Sequence, residues 1–363
     1  MAPDERLNWH AFLARHPLAP PSPEGLRAFS RQSILITGAG GSIGSALALR
    51  LAQVSKASLI LLQSSESHLA TLEKSLRSQA YSANVDFILG SAGDPALIDH
   101  IFEHHAPQLV FHTAAYKQVP LLESQPFAAL ENNALVTELL ARKCALHRAG
   151  LVLLSTDKAA APSSMLGVSK RLAELAVLGS GGRAVRFGNV LGSRDSVTEV
   201  FIRQVHQGGP LTVTNPAAER YFLTVDDAVN LLLAVAAEPA SGLFVPRLQT
   251  SYRIADLARF IAGSLAPGRN LNIAFSSLRA GEKLAESLWS AEEGAGAAHN
   301  ADLVRIATPL PPASLLEHIF HTLRVACTAR NLTAALDIIH EAIPNYVPSA
   351  AVLASQLAAR VAP

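Results

Sequence analysis

The chain has 363 residues, a formal net charge of +1 at pH 7, and a hydrophobic share of 49%. The near-neutral charge gives no electrostatic case for nucleic acid or a membrane surface as a ligand. No apolar run reaches the roughly 18 residues of a membrane span. Cys144 and Cys327 lie far apart and fit no metal-site spacing, so we expect no metal, and a cytoplasmic, reducing location.

The first 30 residues contain a short amphipathic patch, Leu7 to Leu13, and then two consecutive prolines, Pro20 and Pro21. This pattern predicts an N-terminal extension (1–30) made of a docking helix and a linker. A disordered arm is the alternative that the sequence leaves open.

A glycine turn follows the first predicted strand, in the stretch SILITGAGGSIGSALALR from Ser33 to Arg50. An apolar strand, a glycine turn and a helix start form the first part of a βαβ dinucleotide-binding unit. Gly38 allows the tight turn, Gly41 leaves room for a pyrophosphate, and Gly44 lets the helix pack closely on the strand.

The free amides at the start of this helix, from Ser42 through Ile43 to Gly44, favour a bound anion, as does the helix dipole. The TGxxGxxG spacing is typical of short-chain dehydrogenases. The alternative is a glycine turn that only connects the strand to the helix, but the flanking elements favour cofactor binding.

Strand and helix patterns then alternate, which predicts an α/β fold with a Rossmann-type, doubly wound parallel sheet in a core spanning 31–190. The ligand is expected along the carboxyl edge of that sheet. Strands are predicted at 33–37, 58–62, 85–89, 108–112, 150–155 and 183–187. Helices are predicted at 42–55, 66–78, 95–105, 126–148 and 162–179.

The pattern changes after Arg186, where loops, short strands and helices follow one another. We predict a small C-terminal substrate-binding lobe (191–312), interleaved with the core, and C-terminal helices (313–363). The elements predicted after the core are a helix to Val205, a strand at 211–214, a helix at 226–237, a strand at 242–245 and a helix at 253–264.

The second and third strands end in residues that bear on the cofactor. Gln63 and Ser64 stand where NAD sites usually place an acid for the adenosine ribose, and no arginine is present for the 2′-phosphate of NADP. The sequence therefore favours NAD, with NADP as the alternative. Ser91 stands where related enzymes often have an aspartate for the adenine.

The fourth strand leads into the small residues Ala114 and Ala115, which would let the backbone lie beside the cofactor. Lys117 follows on a loop above it. A substrate contact and an ordinary solvated lysine are equally compatible with its position.

Thr156, Asp157 and Lys158 follow the fifth predicted strand and are therefore expected at the carboxyl edge of the sheet. An acid next to an amine at this position suits acid/base chemistry, although a surface ion pair is the simpler alternative. Lys170 follows on the next predicted helix. Short-chain dehydrogenases place a proton-moving tyrosine four residues before such a lysine, and this chain has Leu166 there.

Five blocks of this sequence resemble the CapD-like polysaccharide-biosynthesis proteins. The resemblance runs from about Ser33 to Leu288, with a fainter similarity at 343–348. Members of this family are nucleotide-sugar 4,6-dehydratases of the extended short-chain dehydrogenase class, and they typically act on UDP-N-acetylglucosamine. The blocks are HTAAYKQVPLLESQP, STDKAAAPSSMLGVSKRLAE, VRFGNVLGSRDSV, GGPLTVTNPAAERYF and RAGEKLAESL.

The resemblance implies that Asp157 and Lys158 are the acid and base of an elimination, and that Lys170 holds the cofactor ribose. It also implies a UDP-sugar substrate, a bound NAD and assembly into homo-oligomers. Departures from the family pattern are Leu166, Gln63 and Asp195, the last an extra acid near the diphosphate. The residues implied to contact the nucleotide sugar are Asn189, Arg194, Arg220, Arg279 and Glu282, and Lys117 is a further candidate from its position alone.

Two other functions stay open. A UDP-sugar 4-epimerase shares the fold and the first hydride step, but it has no need of the Asp157–Lys158 pair and generally needs the tyrosine that Leu166 replaces. A non-catalytic dinucleotide sensor would fit Leu166, Gln63 and Ser91, but it has little use for a sugar-diphosphate clamp.

Overall fold

The apolar runs of the sequence become strands and helices in the computed structural model, which describes residues 7–54, 56–79, 83–248 and 250–361. The strands are β1 Ser33–Thr37, β2 Ser58–Gln63, β3 Asn84–Leu89, β4 Leu109–His112, β5 Gly150–Thr156, β6 Arg183–Phe187, β7 Asn189–Val190, β8 Leu211–Val213, β9 Glu219–Arg220, β10 Phe222–Leu223, β11 Gly242–Pro246, β12 Tyr252–Arg253, β13 Ile273–Phe275, β14 Gly294–Ala297 and β15 Leu303–Ala307. The α-helices are α1 Trp9–Leu13, α2 Pro23–Arg27, α3 Ser42–Val54, α4 Glu66–Arg77, α5 Pro95–His105, α6 Val119–Ser124, α7 Pro126–Ala129, α8 Val136–His147, α9 Met165–Gly179, α10 Val197–His206, α11 Val225–Ala237, α12 Ile254–Leu265, α13 Ala313–Thr328, α14 Leu332–Ala342 and α15 Ala350–Val361.

The central sheet has nine strands among the described residues, in the order β14-β15-β11-β6-β5-β4-β1-β2-β3. The seven strands from β11 to β3 are parallel, and β15 and β14 join antiparallel at one edge. The chain moves outward from β1 to β3 and then returns to the other side of β1 with β4. This change of direction opens a crevice at the carboxyl ends of β1 and β4, where such sheets bind ligands. The predicted Rossmann-type sheet is confirmed.

Both faces of this sheet are covered, which explains why its central strands read as continuous apolar runs. Because side chains alternate along a strand, Leu35 and Leu153 pack on one face in a core with α5, α8, α9, α13 and α14. Ile34, Ile36 and Val152 pack on the other face, against α3 and α11.

A smaller lobe contains the paired strands β7·β10, β9·β12 and β8·β13 and the helices α10 and α12. Helix α1 packs on this lobe: the ring of Phe12 lies 5.3 Å from those of Tyr252 and Phe260. Arg15 pairs with the buried Asp227 carboxylate at 2.7 Å, which holds the segment after α1 against α11. The first six residues of the predicted extension lie outside the described residues.

Two predicted elements need correction. The strand predicted at 242–245, which the sequence placed in the lobe, is β11 and pairs with β6 in the central sheet, because its apolar side chains are buried there. The helix predicted over 126–148 is three consecutive segments, with a π-helical turn at Leu130–Leu135 between α7 and α8. The wider turn directs Asn133 inward to the loop after β4.

Within the described residues, no helix combines the length and apolar character needed to cross a membrane. In the same part of the chain, no three His, Cys, Asp or Glu side chains come together as ligands for a metal ion.

Candidate active site

The glycine turn between β1 and α3 is packed so closely that side chains are excluded. Gly38 has a φ of 69°, and a Cβ atom on it would lie 2.7 Å from the backbone of Ala114. A Cβ atom on Gly44 would lie 2.3 Å from the Gly38 carbonyl oxygen. The amides of the first turn of α3 have no acceptor inside the helix, so they are available to an anion. The predicted cofactor residues in this turn are Gly38, Gly41, Ser42, Ile43 and Gly44.

Gln63, at the end of β2, contacts the glycine turn directly. Its Oε1 atom accepts a hydrogen bond from the Gly40 amide at 3.1 Å, and the residue is 8% exposed. Since the oxygen is used there, the amide NH₂ group is what Gln63 can offer to a ribose. The cavity beside it is lined by Gly38, Leu62, Gln63, Ser64, Gly90, Ser91, Ala92, Gly93, Ala114, Asn132 and Val136.

Asn133, which the sequence analysis missed, fixes the loop that carries Ala114 and Ala115. Its Oδ1 atom accepts from the Tyr116 amide at 2.9 Å, and its Nδ2 atom donates to the Tyr116 carbonyl at 3.0 Å. Nδ2 also donates to Ser169 on α9 at 3.1 Å. A buried asparagine inside an apolar helix was the available signal, and π-helical turns are frequent at functional sites.

Lys117 and Arg194, both predicted to contact substrate, are brought together above the glycine turn. The Lys117 ammonium donates to the Arg194 carbonyl. Arg194 donates through its guanidinium to the Gly40 carbonyl at 2.7 Å and through its backbone amide to the Ser42 hydroxyl at 3.0 Å. Burial lowers the pKa of Lys117, while the nearby Asp195 carboxylate acts in the opposite direction. The loop after β7 therefore lies directly against the predicted phosphate cradle.

Asp157 and Lys158 lie in a single 3₁₀ turn that follows β5. Asp157 is fully buried, and its Oδ1 atom accepts from Lys158 Nζ at 2.9 Å and from Thr156 Oγ1 at 3.0 Å. The other oxygen, Oδ2, is buried and has no hydrogen-bond partner among the described residues. A buried carboxylate oxygen without a donor is costly, so this atom is a candidate acceptor for a ligand hydroxyl.

Lys170 is buried on α9 one helical turn after Leu166, so the two residues share a helix face. Burial lowers the pKa of Lys170 to about 8, although the negative charge of Glu174 acts to raise it. Burial and the Lys170 charge lower the pKa of His112 to about 3, so this histidine is neutral. Leu166 is 5% exposed and supplies no proton-carrying group.

Arg220 is held by the main chain in the structure. It is 9% exposed, and its guanidinium donates to three carbonyl groups at 2.6–3.1 Å. Two of these carbonyls belong to the segment 279–288, so Arg220 fixes that segment against β9. The three accepting residues are Glu219, Lys283 and Leu284.

Arg279 and Glu282 bind each other at the start of the same segment. The Arg279 guanidinium donates to Glu282 Oε1 at 2.9 and 2.6 Å, and the arginine side chain is 61% exposed. Asn189 lies in β7, where its backbone N–H donates to the Tyr221 carbonyl at 2.7 Å. The predicted sugar-nucleotide contacts thus lie on the loop after β4, on β7 and the loop after it, on β9, and on the segment 279–288.

Glu286 and Lys283 join the Asp157–Lys158 pair, and the sequence analysis assigned a role to neither. Glu286 Oε1 lies 3.9 Å from Lys158 Nζ, and Glu286 Oε2 lies 3.5 Å from Lys283 Nζ. Both residues belong to the block RAGEKLAESL, of which only Arg279 and Glu282 had been given roles. Because both residues lie more than a hundred positions after Lys158 in the sequence, their contact with the pair could not be predicted from it.

A family model described as polysaccharide biosynthesis protein matches residues 34–308. The chain belongs to the polysaccharide biosynthesis protein family. The match covers the glycine turn, the Asp157–Lys158 turn and the segment 279–288.

Two curated relatives of the family are similar in sequence. The capsular polysaccharide biosynthesis protein CapD of Staphylococcus aureus is 36% identical over 279 residues, which are 74% of this chain and 46% of CapD. The chain therefore spans about half of that relative. A protein named UDP-glucose 4-epimerase from Rickettsia canadensis is 33% identical over 77% of this chain and 83% of its own length.

Solved structures share the fold of this family member at lower identity. Pen from Bacillus thuringiensis superposes with a TM-score of 0.70 at 24% identity, over 78% of this chain and 92% of its own. DesIV from Streptomyces venezuelae, a dTDP-glucose 4,6-dehydratase solved with NAD bound, gives a TM-score of 0.61 at 20% identity, over 70% and 89%.

Proposed function

We propose that this protein uses a bound NAD to dehydrate a UDP-N-acetylhexosamine, UDP-N-acetylglucosamine in the first instance, to a 4-keto-6-deoxy sugar. The observation that carries the proposal is the buried Asp157–Lys158 pair at the carboxyl end of β5, in which Asp157 Oδ2 has no hydrogen-bond donor among the described residues. Membership of the polysaccharide biosynthesis protein family supports a nucleotide sugar as the substrate class.

The crevice at the ends of β1 and β4 fits a dinucleotide. A pyrophosphate suits the side-chain-free turn at Gly38 and Gly44 and the open amides of α3. The Lys170 ammonium suits the ribose hydroxyls, and Gln63 and Ser64 line the adjoining cavity. When bound, NAD supplies a hydride acceptor and donor for carbons 4 and 6 of the sugar.

Asp157 and Lys158 divide the proton transfers between them. Asp157 Oδ2 accepts the proton of the hydroxyl on carbon 4 as that carbon is oxidised. The ketone formed there acidifies the proton on carbon 5, which the Lys158 amine removes. Asp157 then gives its proton to the hydroxyl that leaves carbon 6 as water, and Lys158 returns a proton to carbon 5 when carbon 6 is reduced. Thr156 Oγ1, donating to Asp157 Oδ1, keeps the carboxylate oriented.

The 4-epimerase is the second candidate, because a Rickettsia relative bears that name. An epimerase needs a group that removes and returns the proton of the carbon 4 hydroxyl, which Leu166 cannot do but Asp157 could. It has no use for a base at carbon 5. The Asp157–Lys158 pair therefore favours dehydration.

Incubation with UDP-N-acetylglucosamine followed by mass spectrometry tests the proposal. A dehydratase releases a nucleotide sugar lighter by one water. An epimerase leaves the mass unchanged and yields a new stereoisomer, and a non-catalytic sensor leaves the sugar unchanged. Either of the last two outcomes contradicts the proposed reaction.

The cofactor released on denaturing the purified protein should be NAD. Within the described residues no arginine lines the cavity beside Gln63, so a 2′-phosphate would find no guanidinium there. Chromatography of the released nucleotide decides the point, and recovery of mainly NADP would contradict it.

Arg279→Ala should weaken UDP binding by about 1.5–3 kcal/mol, the range for hydrogen bonds to charged groups, and Arg220→Ala should weaken it as well. Arg279 would act through its own guanidinium, and Arg220 through the segment that it fixes. Calorimetric titration with UDP measures the affinity of each variant. The affinity for NAD, which should not change, is the internal reference. Arg253→Ala is the matched control, since Arg253 is 62% exposed beside β9. Wild-type UDP affinity in both variants would remove these arginines from the site.

A further inference from the structure

The Lys158 side chain lies between two buried carboxyl groups. Asp157 Oδ1 is 2.9 Å away and Glu286 Oε1 is 3.9 Å away, while Lys283 lies 3.5 Å from the other oxygen of Glu286. The Glu286 side chain is 2% exposed, and its Oε2 atom forms no hydrogen bond among the described residues. Two acids and two lysines thus form one row in which acidic and basic groups alternate.

The segment that carries Glu286 is fixed against the turn that carries Lys158. The Lys283 ammonium donates to the Ala161 carbonyl, and Ser163 Oγ donates to the Gly281 carbonyl at 3.3 Å. Gly281 has a φ of 76°, and a Cβ atom on it would lie 2.8 Å from the Ser164 side chain. The position of Glu286 relative to Lys158 is therefore set by contacts that Gly281 and Lys283, earlier in the same segment, make with residues 161–164.

The proposed reaction passes through a stage at which Asp157 cannot balance the charge of Lys158. Asp157 has taken the proton of the carbon 4 hydroxyl and is neutral. The lone pair of the Lys158 nitrogen then takes the proton from carbon 5, and the C–H electron pair becomes an enolate conjugated with the ketone. Lys158 becomes an ammonium ion while its nearest carboxyl group is uncharged.

We propose that Glu286 is a positioning residue that supplies the counter-charge of Lys158 at this stage, a role that rests on the dehydratase function proposed above. Its carboxylate holds the ammonium near carbon 5 while Asp157 passes its proton to the departing hydroxyl. The enolate electron pair forms a C5–C6 double bond as the C6–O bond breaks with its own pair on the oxygen, and water leaves. Lys283 pairs with the same carboxylate, so Glu286 is not left as an isolated buried charge before Lys158 is protonated.

Glu286→Gln should lower kcat for dehydration about 10- to 100-fold, the scale of effect that loss of precise positioning has. KM for the UDP-sugar should change little, and reduction of the bound cofactor on mixing with substrate should proceed as in the wild type. Glu286→Asp, which restores the charge, should recover part of kcat. Glu292→Gln is the matched control, because Glu292 is an exposed carboxylate on the following loop that binds Asn345.

The kinetic results separate a positioning role from a merely structural one. An unchanged kcat in Glu286→Gln would overturn the inference. The inference would also be overturned if Glu286→Asp lost as much kcat as Glu286→Gln and cofactor reduction were slow in both variants. That pattern describes general damage to the site.

A second readout needs neither substrate nor turnover. With one counter-charge removed, the Lys158 amine in Glu286→Gln should react several-fold faster with an amine-acylating reagent than it does in the wild type. Peptide mass spectrometry measures the rate, and Lys143, paired with Asp99 on the surface, is the internal standard. Equal Lys158 rates would overturn the inference. If the wild type dehydrates no UDP-sugar, the proposed function fails, and the acylation rates still decide whether Glu286 acts on Lys158.

Discussion

Lys158→Met should reduce formation of the dehydrated sugar by about 100- to 10,000-fold, the contribution typical of a general base. The variant keeps a side chain of similar length, but it has no lone pair for the proton on carbon 5. Oxidation at carbon 4 does not use that proton, so the bound cofactor should still become reduced when substrate is added. Rapid-mixing absorbance measures this step, and mass spectrometry measures the product.

The control and the partner variant sharpen this test. Lys143→Met removes a lysine from a surface ion pair and should leave both steps unchanged. Asp157→Asn should block elimination and should also slow oxidation, because Leu166 offers no other proton acceptor. If Lys158→Met still exchanges deuterium into carbon 5, Lys158 is not the base, and Lys170 or Lys117 becomes the next candidate.

Arg186→Met should lower the free energy of unfolding by about 3–5 kcal/mol, the cost of leaving a buried charge without its partner. Arg186 is completely buried in β6 and donates to Glu174 at 2.8 Å and to Glu293 at 2.7 and 2.9 Å. Arg171, which contacts both glutamates, remains in the variant and favours the lower end of that range. Urea unfolding measures the loss, and Arg259→Met, in an exposed pair with Asp256, should cost about 0–1 kcal/mol.

The same cluster predicts a dependence on pH. Burial acts to raise the pKa of Glu174 and Glu293, but the Arg186 guanidinium outweighs it and holds both pKa values below their usual range. Stability from these groups is therefore present above the unfolded glutamate pKa of about 4.3 and is lost as pH falls through the folded values. Without Arg186 the buried acids should take up protons more readily. The difference in unfolding free energy between wild type and Arg186→Met should narrow below about pH 4.3, and a constant difference would contradict this assignment.

The glycine turn and the central strands could be predicted because local constraints determine them. A positive φ at Gly38 and the close approach of Ala114 leave few residue types possible, and strands buried on both faces must be apolar throughout. The position of β11 in the central sheet could not be predicted from its own sequence, because an apolar run of that length fits either the sheet or the lobe. Its pairing with β6 decides the matter.

The buried charges were harder to predict because their partners are distant in sequence. Arg186 stands in an otherwise apolar strand, and nothing local indicates that Glu174 and Glu293 neutralise it. Glu286 likewise reaches Lys158 only through the folding of the segment 279–288. Asp157 and Lys158, which are adjacent, could be singled out as a pair, but the burial of Asp157 Oδ2 required the structure.

The most direct test of the dehydratase assignment is the product made from UDP-N-acetylglucosamine in D₂O. Removal of the carbon 5 proton by Lys158 and its replacement from solvent should give a nucleotide sugar that has lost one water and carries one deuterium at carbon 5. Mass spectrometry with fragmentation locates the label, and the label should be absent from Lys158→Met incubations. A sugar that retains all its oxygen, or a dehydrated sugar without deuterium at carbon 5, would contradict the account.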